Sequence, residues 1–206
     1  MTNEKVDLKK KFKQFYNPKT IPEIVFVPTM QFLMIDGIGA IESQEFQDAI
    51  EALFSVSFKA KFIAKKTIDF DYTVMPLEGL WWADDMNDFL TGKKDQWKWT
   101  LMIMQPDQID SQIIKSAIVE MRGKKNLKSI DSLRFQNLSE GKSAQIMHIG
   151  PFSEEHANIM KIHKVIEENM GKFDGREIKH HEIYLSDFRK VDPKKMKTVI
   201  RQPFLN

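Results

Sequence analysis

The stretch His180-His181-Glu182-Ile183-Tyr184-Leu185 decides how the chain is read. β-branched and aromatic residues recur at every second position, which predicts a strand. Ile183 and Leu185 share one face. Glu182 and Tyr184 share the other, because side chains two apart in a strand point the same way. A carboxylate and a phenol therefore stand side by side, while His180 and His181 point to opposite faces. On a half-solvated sheet Glu182 would face water. On the floor of a ligand pocket it would face whatever aromatic walls the rest of the chain supplies.

Working outward, residues 196–203 predict a last strand stopped by Pro203, and residues 153–170 an amphipathic helix before the focal strand. Residues 144–149 predict a strand ending at Gly150-Pro151. The same order stands in the first half. A short extended piece covers 24–28, and residues 31–37 predict a strand closed by Gly37 and Gly39. Residues 42–61 place Phe46, Ala49, Ile50, Leu53 and Phe54 at helical spacing, with Ser43 in capping position. Residues 67–75 alternate Ile68, Phe70, Tyr72 and Val74 against polar partners, which predicts a strand. Residues 96–105 predict another, with Trp97, Trp99, Leu101 and Ile103 on one face and Pro106 as its stop. Residues 107–122 predict an additional helix ended by Gly123. Polar connections are expected at 83–95 and 124–142, the second with a short apolar piece at 133–138. Residues 1–20 read as a charged, helical arm ended by Pro18 and Pro22.

Both halves run strand, helix, strand, strand. The expected fold is α+β: two pseudo-symmetric modules sharing an antiparallel sheet, helices on one side, and a central ligand cleft on the uncovered side or at the seam. The chain is expected to be a single domain over 1–206, with an arm at 1–23, a first module with its extra helix at 24–123 and a second module at 124–206.

The 206 residues carry 31 basic and 29 acidic side chains, a net charge of +2. That balance lacks the clustered basic excess of a nucleic-acid surface. With no cysteine, disulfides, thiolate catalysis and Cys-based zinc sites are excluded. The start of the chain has no apolar signal core, and no apolar run approaches the roughly 20 residues of a spanning helix. A cytoplasmic protein is expected, with no membrane partner. The five histidines lack metal-ligand spacing, and neither a Gly-x-Ser-x-Gly elbow nor a phosphate loop is present, so no metal and no cofactor are expected.

Trp81, Trp82, Trp97 and Trp99 fall within about twenty residues. They read either as core anchors or as walls of a cage for a flat ligand. Trp97 and Trp99 point the same way, so at least one of the two would line such a cage. His148, at a strand end, is placed to face the cleft.

Several motifs resemble the GyrI-like family of small-molecule-binding domains. They are Asp7-Leu8-Lys9-Lys10, Ile35-Asp36-Gly37, Leu77-Glu78-Gly79-Leu80-Trp81-Trp82, Trp97-Lys98-Trp99-Thr100-Leu101-Met102-Ile103, and His181 to Asp187 with Arg189-Lys190. The resemblance spans nearly the whole chain. It implies a pseudo-two-fold pair of modules around a cleft, with Glu182 at the position of the family's pocket glutamate. No DNA-binding domain is expected here. Stand-alone members with the Trp-rich middle resemble a subgroup that hydrolyses cyclopropane-bearing, DNA-alkylating natural products. This chain departs from that pattern at Gly39-Ala40-Ile41, and has Phe54 and Phe58 where tyrosines are common. The expected catalytic residues are Glu182 and Tyr184. The expected ligand-binding residues are Tyr72, Trp81, Trp82, Trp99, His148 and Phe152. The implied role is detoxification of a flat hydrophobic partner. The alternative is a non-catalytic drug-binding protein or a gyrase-interacting module.

Overall fold

A computed structural model describes residues 4–85 and 87–205. The expected arm, polar loop and second module each include residues outside that set: 1–3, Met86 and Asn206. The first half contains the short helices α1 (Leu8–Lys11) and α2 (Lys13–Tyr16), then β1 (Glu23–Val27), β2 (Met30–Ile38), α3 (Gln44–Thr67), β3 (Leu77–Trp82), α4 (Asn87–Thr91), β4 (Lys98–Gln105) and α5 (Ser111–Arg122). The second half contains β5 (Arg134–Leu138), β6 (Gly141–Ile149), α6 (His156–Glu168), β7 (His180–Tyr184) and β8 (Lys197–Pro203).

All eight strands join one antiparallel sheet in the order β1-β6-β8-β7-β3-β4-β2-β5. The units β2-α3-β3-β4 and β6-α6-β7-β8 are related by a pseudo-two-fold axis through the β3–β7 pair. Gly79 lies opposite Glu182, and Glu182 opposite Ile200. Directly opposed residues share a face. On that face Phe46 of α3 stacks on Trp81 at 5.8 Å, while Ile162 and Ile166 of α6 pack with Ile200. Both helices therefore cover the same side of the sheet, as the repeat predicts.

One strand of the expected repeat lies elsewhere. The apolar stripe of α3 continues through Ala60 and Ala64, so the helix runs to Thr67. Residues 68–75 follow as an extended segment bridged to the arm at Val6 and Tyr72. The third element of the first unit is instead β3. It lies between β4 and β7 and is buried along nearly its whole length, so it lacks the alternation of a half-exposed strand. Strand β2 also passes through Gly37 instead of ending there. The Trp99 indole lies across Gly37, where a Cβ would come within 2.1 Å of the ring.

The links β1–β2 and β5–β6 are each two residues long, Pro28-Thr29 and Ser139-Glu140. Such a link spans at most about 11 Å, yet each carries the chain from one end of the sheet to the other. The sheet therefore curls, and Glu140, in the second link, reaches residues on the side away from α3 and α6. The arm fills that hollow. Gln145 Nε2 donates to the Gln14 carbonyl, and Arg201 Nη2 to the Phe15 carbonyl.

Inside the hollow lies a buried ionic network. His181 Nε2 bonds Glu78 Oε2 at 3.0 Å, and His181 Nδ1 bonds Glu140 Oε1 at 2.8 Å. Arg201 Nη1 donates to Glu140 Oε2 at 3.0 Å, and the Tyr16 hydroxyl to Glu78 Oε1 at 2.7 Å. Two acidic and two basic groups balance. Burial opposes the charge on His181, but Glu140 and Glu78 outweigh it and raise its pKa to about 9. Burial likewise opposes the charge on Glu140, but His181 and Arg201 outweigh it and bring it to about 2.

The linkage signs follow from these shifts. The His181 contribution to stability is complete below its ordinary pKa of 6.5 and is lost as pH rises through about 9. The Glu140 contribution is complete above 4.5 and is lost as pH falls through about 2. His181→Leu leaves the buried Glu78 carboxylate without its cation and Glu140 with Arg201 alone, and is expected to cost about 3–5 kcal/mol. Urea unfolding measured across pH should show this loss to be largest near pH 4.5–6.5 and to shrink as pH rises from 6.5 through about 9. A loss that does not vary with pH would mean His181 is neutral in the fold.

Candidate functional site

The helices α3 and α6 stand apart over the β3–β7 seam, leaving a cleft of about 700 Å³. Its walls are mostly apolar. Phe46, Trp81, Phe89 and Trp97 form one end, Phe152, Phe188 and Tyr184 the middle, and Ile159, Met160, His163 and Phe173 the α6 end. The rings brace one another edge to face: Trp81 with Trp97 at 6.1 Å, and Phe152 with Tyr184 at 5.8 Å. The cleft lies at the seam, on the helix-covered side; the other side of the sheet is plugged by the arm.

Strand alternation brings three polar side chains of β7 to the floor: His180, Glu182 and Tyr184. Trp81 Nε1 donates to the Tyr184 oxygen at 2.8 Å. This bond passes over Gly79, where a Cβ would come within 2.9 Å of Trp81 Nε1 and 3.0 Å of the Tyr184 oxygen. Gly79 therefore lets the two rings meet across β3 and β7. The Tyr184 hydroxyl stands beside Glu182, whose charge adds to burial in raising its pKa. Gln202 Nε2 donates to His180 Nδ1 at 3.1 Å, which leaves His180 Nε2 to donate to Glu182 Oε1 at 3.2 Å.

A second carboxyl faces Glu182. Glu155, at the N-terminal end of α6, is buried, lines the cleft and lies against Glu182, with its Oε1 buried and without a hydrogen-bond partner among the described residues. Two adjacent buried carboxyls cannot both ionise cheaply, so their titrations separate. Burial first, and then the Glu182 charge, push Glu155 up to about 10. Burial would raise Glu182 as well, but the hydrogen bond from His180 and the neighbouring Tyr184 and Glu155 protons outweigh it and hold its pKa below the ordinary value. At neutral pH the floor therefore holds one carboxylate, Glu182, and one protonated acid, Glu155. The Glu182 side chain keeps 15% of its surface exposed, toward the cleft.

Of the expected site residues, the structure brings Glu182, Tyr184, Trp81 and Phe152 together around the cleft. It places the other four elsewhere. Trp82 lies on the far face of β3, under the Lys179 ammonium at 3.5 Å. Trp99 is fully buried beneath α3, edge-on to Phe46 at 5.2 Å. Tyr72 is buried with its hydroxyl donating to Gln105 Oε1. His148 is buried at the end of β6 between the Pro151 carbonyl and Asn158 Nδ2. Of the Trp97–Trp99 pair, Trp97 lines the cleft. The sequence reading omitted Glu155, His180, Gln202 and Phe188. His180 was within reach of it, sharing the period-two face of Glu182. Glu155 follows a turn of 3₁₀ helix that shifts the start of α6, and no local pattern marks it. Among the described residues no group of three or more His, Asp or Glu is arranged to hold a metal ion.

The chain belongs to the GyrI-like family: residues 21–204 match the model of the GyrI-like small molecule binding domain. Two crystal structures from Listeria innocua, one of an uncharacterized conserved protein and one of a hydrolase, are 38% identical to it. Each alignment covers 98% of this chain and 100% of the other, with TM-scores of 0.89 and 0.87. The EcmrR C-terminal domain, 11% identical over 90% of this chain and 97% of its own, shares the fold at a TM-score of 0.56. No curated protein matches.

The split carboxyl pair is measurable. With ¹³C-labelled glutamate, the Glu155 carboxyl is expected to remain protonated at neutral pH and to titrate near 10. In Glu182→Gln the neighbouring charge is gone, and its midpoint should fall while burial keeps it above the ordinary value. Two cleft carboxyls that both titrate near 4.5 would contradict this arrangement.

Proposed function

We propose that the cleft binds flat, hydrophobic, electron-poor molecules and hydrolyses a strained cyclopropane fused to a dienone, a detoxifying reaction. The observation that carries this reading is Glu182 at the floor of an aromatic cleft, beside the buried carboxyl of Glu155. Trp81, Trp97 and Phe152 hold the flat ring system by stacking, worth about 0.5–1.5 kcal/mol per ring pair beyond burial. A water donates one hydrogen to Glu182, whose remaining acceptor site faces the cleft. Its oxygen attacks the cyclopropane methylene. A carbon–oxygen bond forms and the strained carbon–carbon bond breaks. The electron pair runs through the ring to the dienone oxygen, which becomes a phenol by taking a proton from solvent. Glu182 accepts the water proton and returns it to solvent.

The depressed pKa of Glu182 makes it a weak base. The strained electrophile needs little more than a water aligned for attack, so positioning carries much of the effect. Tyr184 acts here as a positioning residue: its proton is directed at Glu182 and its oxygen accepts from Trp81. Glu155 supports Glu182 in the same way. The 38%-identical hydrolase from Listeria innocua supports a catalytic reading over simple sequestration.

Glu182→Gln keeps size but removes charge and basicity. Turnover of a cyclopropane-dienone compound is expected to fall about 10²–10⁴-fold, with binding of the ring-opened product changed little. Chromatographic product analysis alongside fluorescence titration reads both quantities. If wild type returns the compound intact, the cleft binds without catalysing. If Glu182→Gln turns it over as fast as wild type, Glu182 is not the base.

A further inference from the structure

A second cavity, of about 200 Å³, lies directly behind the first. The two share a wall made of Tyr184 and Phe188. Helix α3 runs along both: Phe46 faces the large cleft, and Ile50 and Phe54, one and two turns on, face the small one. Phe188 stands between them, edge-on to Tyr184 at 5.5 Å and to Phe152 at 5.7 Å. It belongs to neither a helix nor a strand. Its loop is held by Asp187, whose carboxylate accepts from the Arg189 backbone N–H at 3.2 Å and from Arg189 Nε at 2.8 Å. Lys9, an exposed residue of the arm, also lines the small cavity. Arg189 and Lys190, the other cations nearby, are already paired with Asp187. Among the described residues no carboxylate pairs with Lys9.

We propose that the two cavities are halves of one groove, with Phe188 as a movable partition. The ligand is then elongated: one flat ring system lies over Glu182, and a second aromatic unit passes Phe188 into the smaller cavity with an anionic end toward Lys9. This rests on the reading of the large cleft as a binding site. The groove is electrically polar. The other charged side chains lining it include Lys94, paired with Glu42, and Arg189, paired with Asp187, so Glu182, which repels an anion, and the Lys9 ammonium, which attracts it, set the direction in which the ligand lies. The apolar residues between them, Ile50, Phe54, Val74 and Leu77, suit a ring and offer a charged group nothing.

Three probes test this by quenching of tryptophan fluorescence, since Trp81 and Trp97 line the large cleft. They are 2-methylquinoline, the amide of quinoline-2-carboxylic acid with 4-aminobenzoate, and the methyl ester of that amide. The carboxylate probe is expected to bind about ten-fold more tightly than 2-methylquinoline. Lys9→Gln, an exposed substitution that leaves the fold intact, should weaken the carboxylate probe about three-fold and leave the ester unchanged. Val74→Trp, which fills the small cavity, should remove the advantage of both long probes while 2-methylquinoline binds as before. Phe188→Ala should favour the long probes over the short one. If the carboxylate probe gains nothing over 2-methylquinoline and ignores both Lys9→Gln and Val74→Trp, the joined groove is wrong although the cleft still binds. If 2-methylquinoline does not bind while the carboxylate probe binds and responds to Lys9→Gln, the reading of the large cleft is wrong and the small cavity stands as a site.

Discussion

The pairing of β3 with β7 is the constraint on which both faces of the molecule depend. Its register puts Gly79 opposite Glu182 and Glu78 opposite Ile183. Because a strand alternates, that one alignment sends Trp81, Glu182 and Tyr184 to the helix side and Glu78 and His181 to the hollow side. A slip of one residue would exchange the two sets. It would put the aromatic floor against the arm and the ionic network into the cleft. The buried ions fix the register as firmly as the hydrophobic residues do, since Glu78 on β3 and His181 on β7 satisfy each other only in this alignment. The pseudo-two-fold axis runs through this pair, so the cleft lies where the two halves of the chain meet.

The two sides of β7 handle buried charge in different ways. On the hollow side, acids and bases alternate in space, and mutual pairing favours the charged forms of His181 and Glu140. On the cleft side the second carboxyl has no cation, and it takes a proton instead. The difference lies in what faces each glutamate. Glu140 meets an arginine and an imidazolium, whereas Glu155 meets another carboxylate. Only the second arrangement leaves an anion with spare acceptor capacity facing an open space. The cleft side therefore offers a ligand a free acceptor, while the hollow side serves to hold the strands.

Much of this was legible in the sequence where the pattern is local. The focal strand, the helical stripe of Phe46, Ile50 and Leu53, and the two proline-stopped strands follow from spacing, and they suffice for the repeated order of elements. Legibility failed where burial is two-sided. Residues 67–75 alternate as a good strand should, yet among the described residues their one ladder contact is the bridge from Tyr72 to Val6 of the arm. Leu77–Trp82 has no alternation and is the central strand. The tryptophans divide for the same reason: Trp81 and Trp82 differ only in parity, and parity cannot be assigned until the strand is known. Glu155 was invisible because its importance arises from Glu182, 27 positions away, and from a turn that sets where α6 begins. His148 shows the converse. A histidine at a strand end looks available, but the adjoining turn supplies a carbonyl and α6 an amide, which use both ring nitrogens.

The cleft also constrains what can occupy it. Glu182 is an anion in mostly apolar surroundings, stabilised by the donors at its back and by whatever reaches its exposed edge. An inert hydrocarbon filling the cleft would strip water from that edge and give nothing in return, so part of its burial gain would be lost. A flat molecule with an electron-poor or positively charged edge regains the difference by facing the carboxylate, and its rings still stack on Trp81 and Phe152. A molecule that leaves room for one water regains it in another way: the water bridges the carboxylate and the ligand. The second case is the geometry hydrolysis requires. Binding and the hydrolysis proposed above therefore rest on one physical feature, a desolvated carboxylate whose last acceptor site must be filled, and the shape of the occupant decides whether a polar edge or a water fills it.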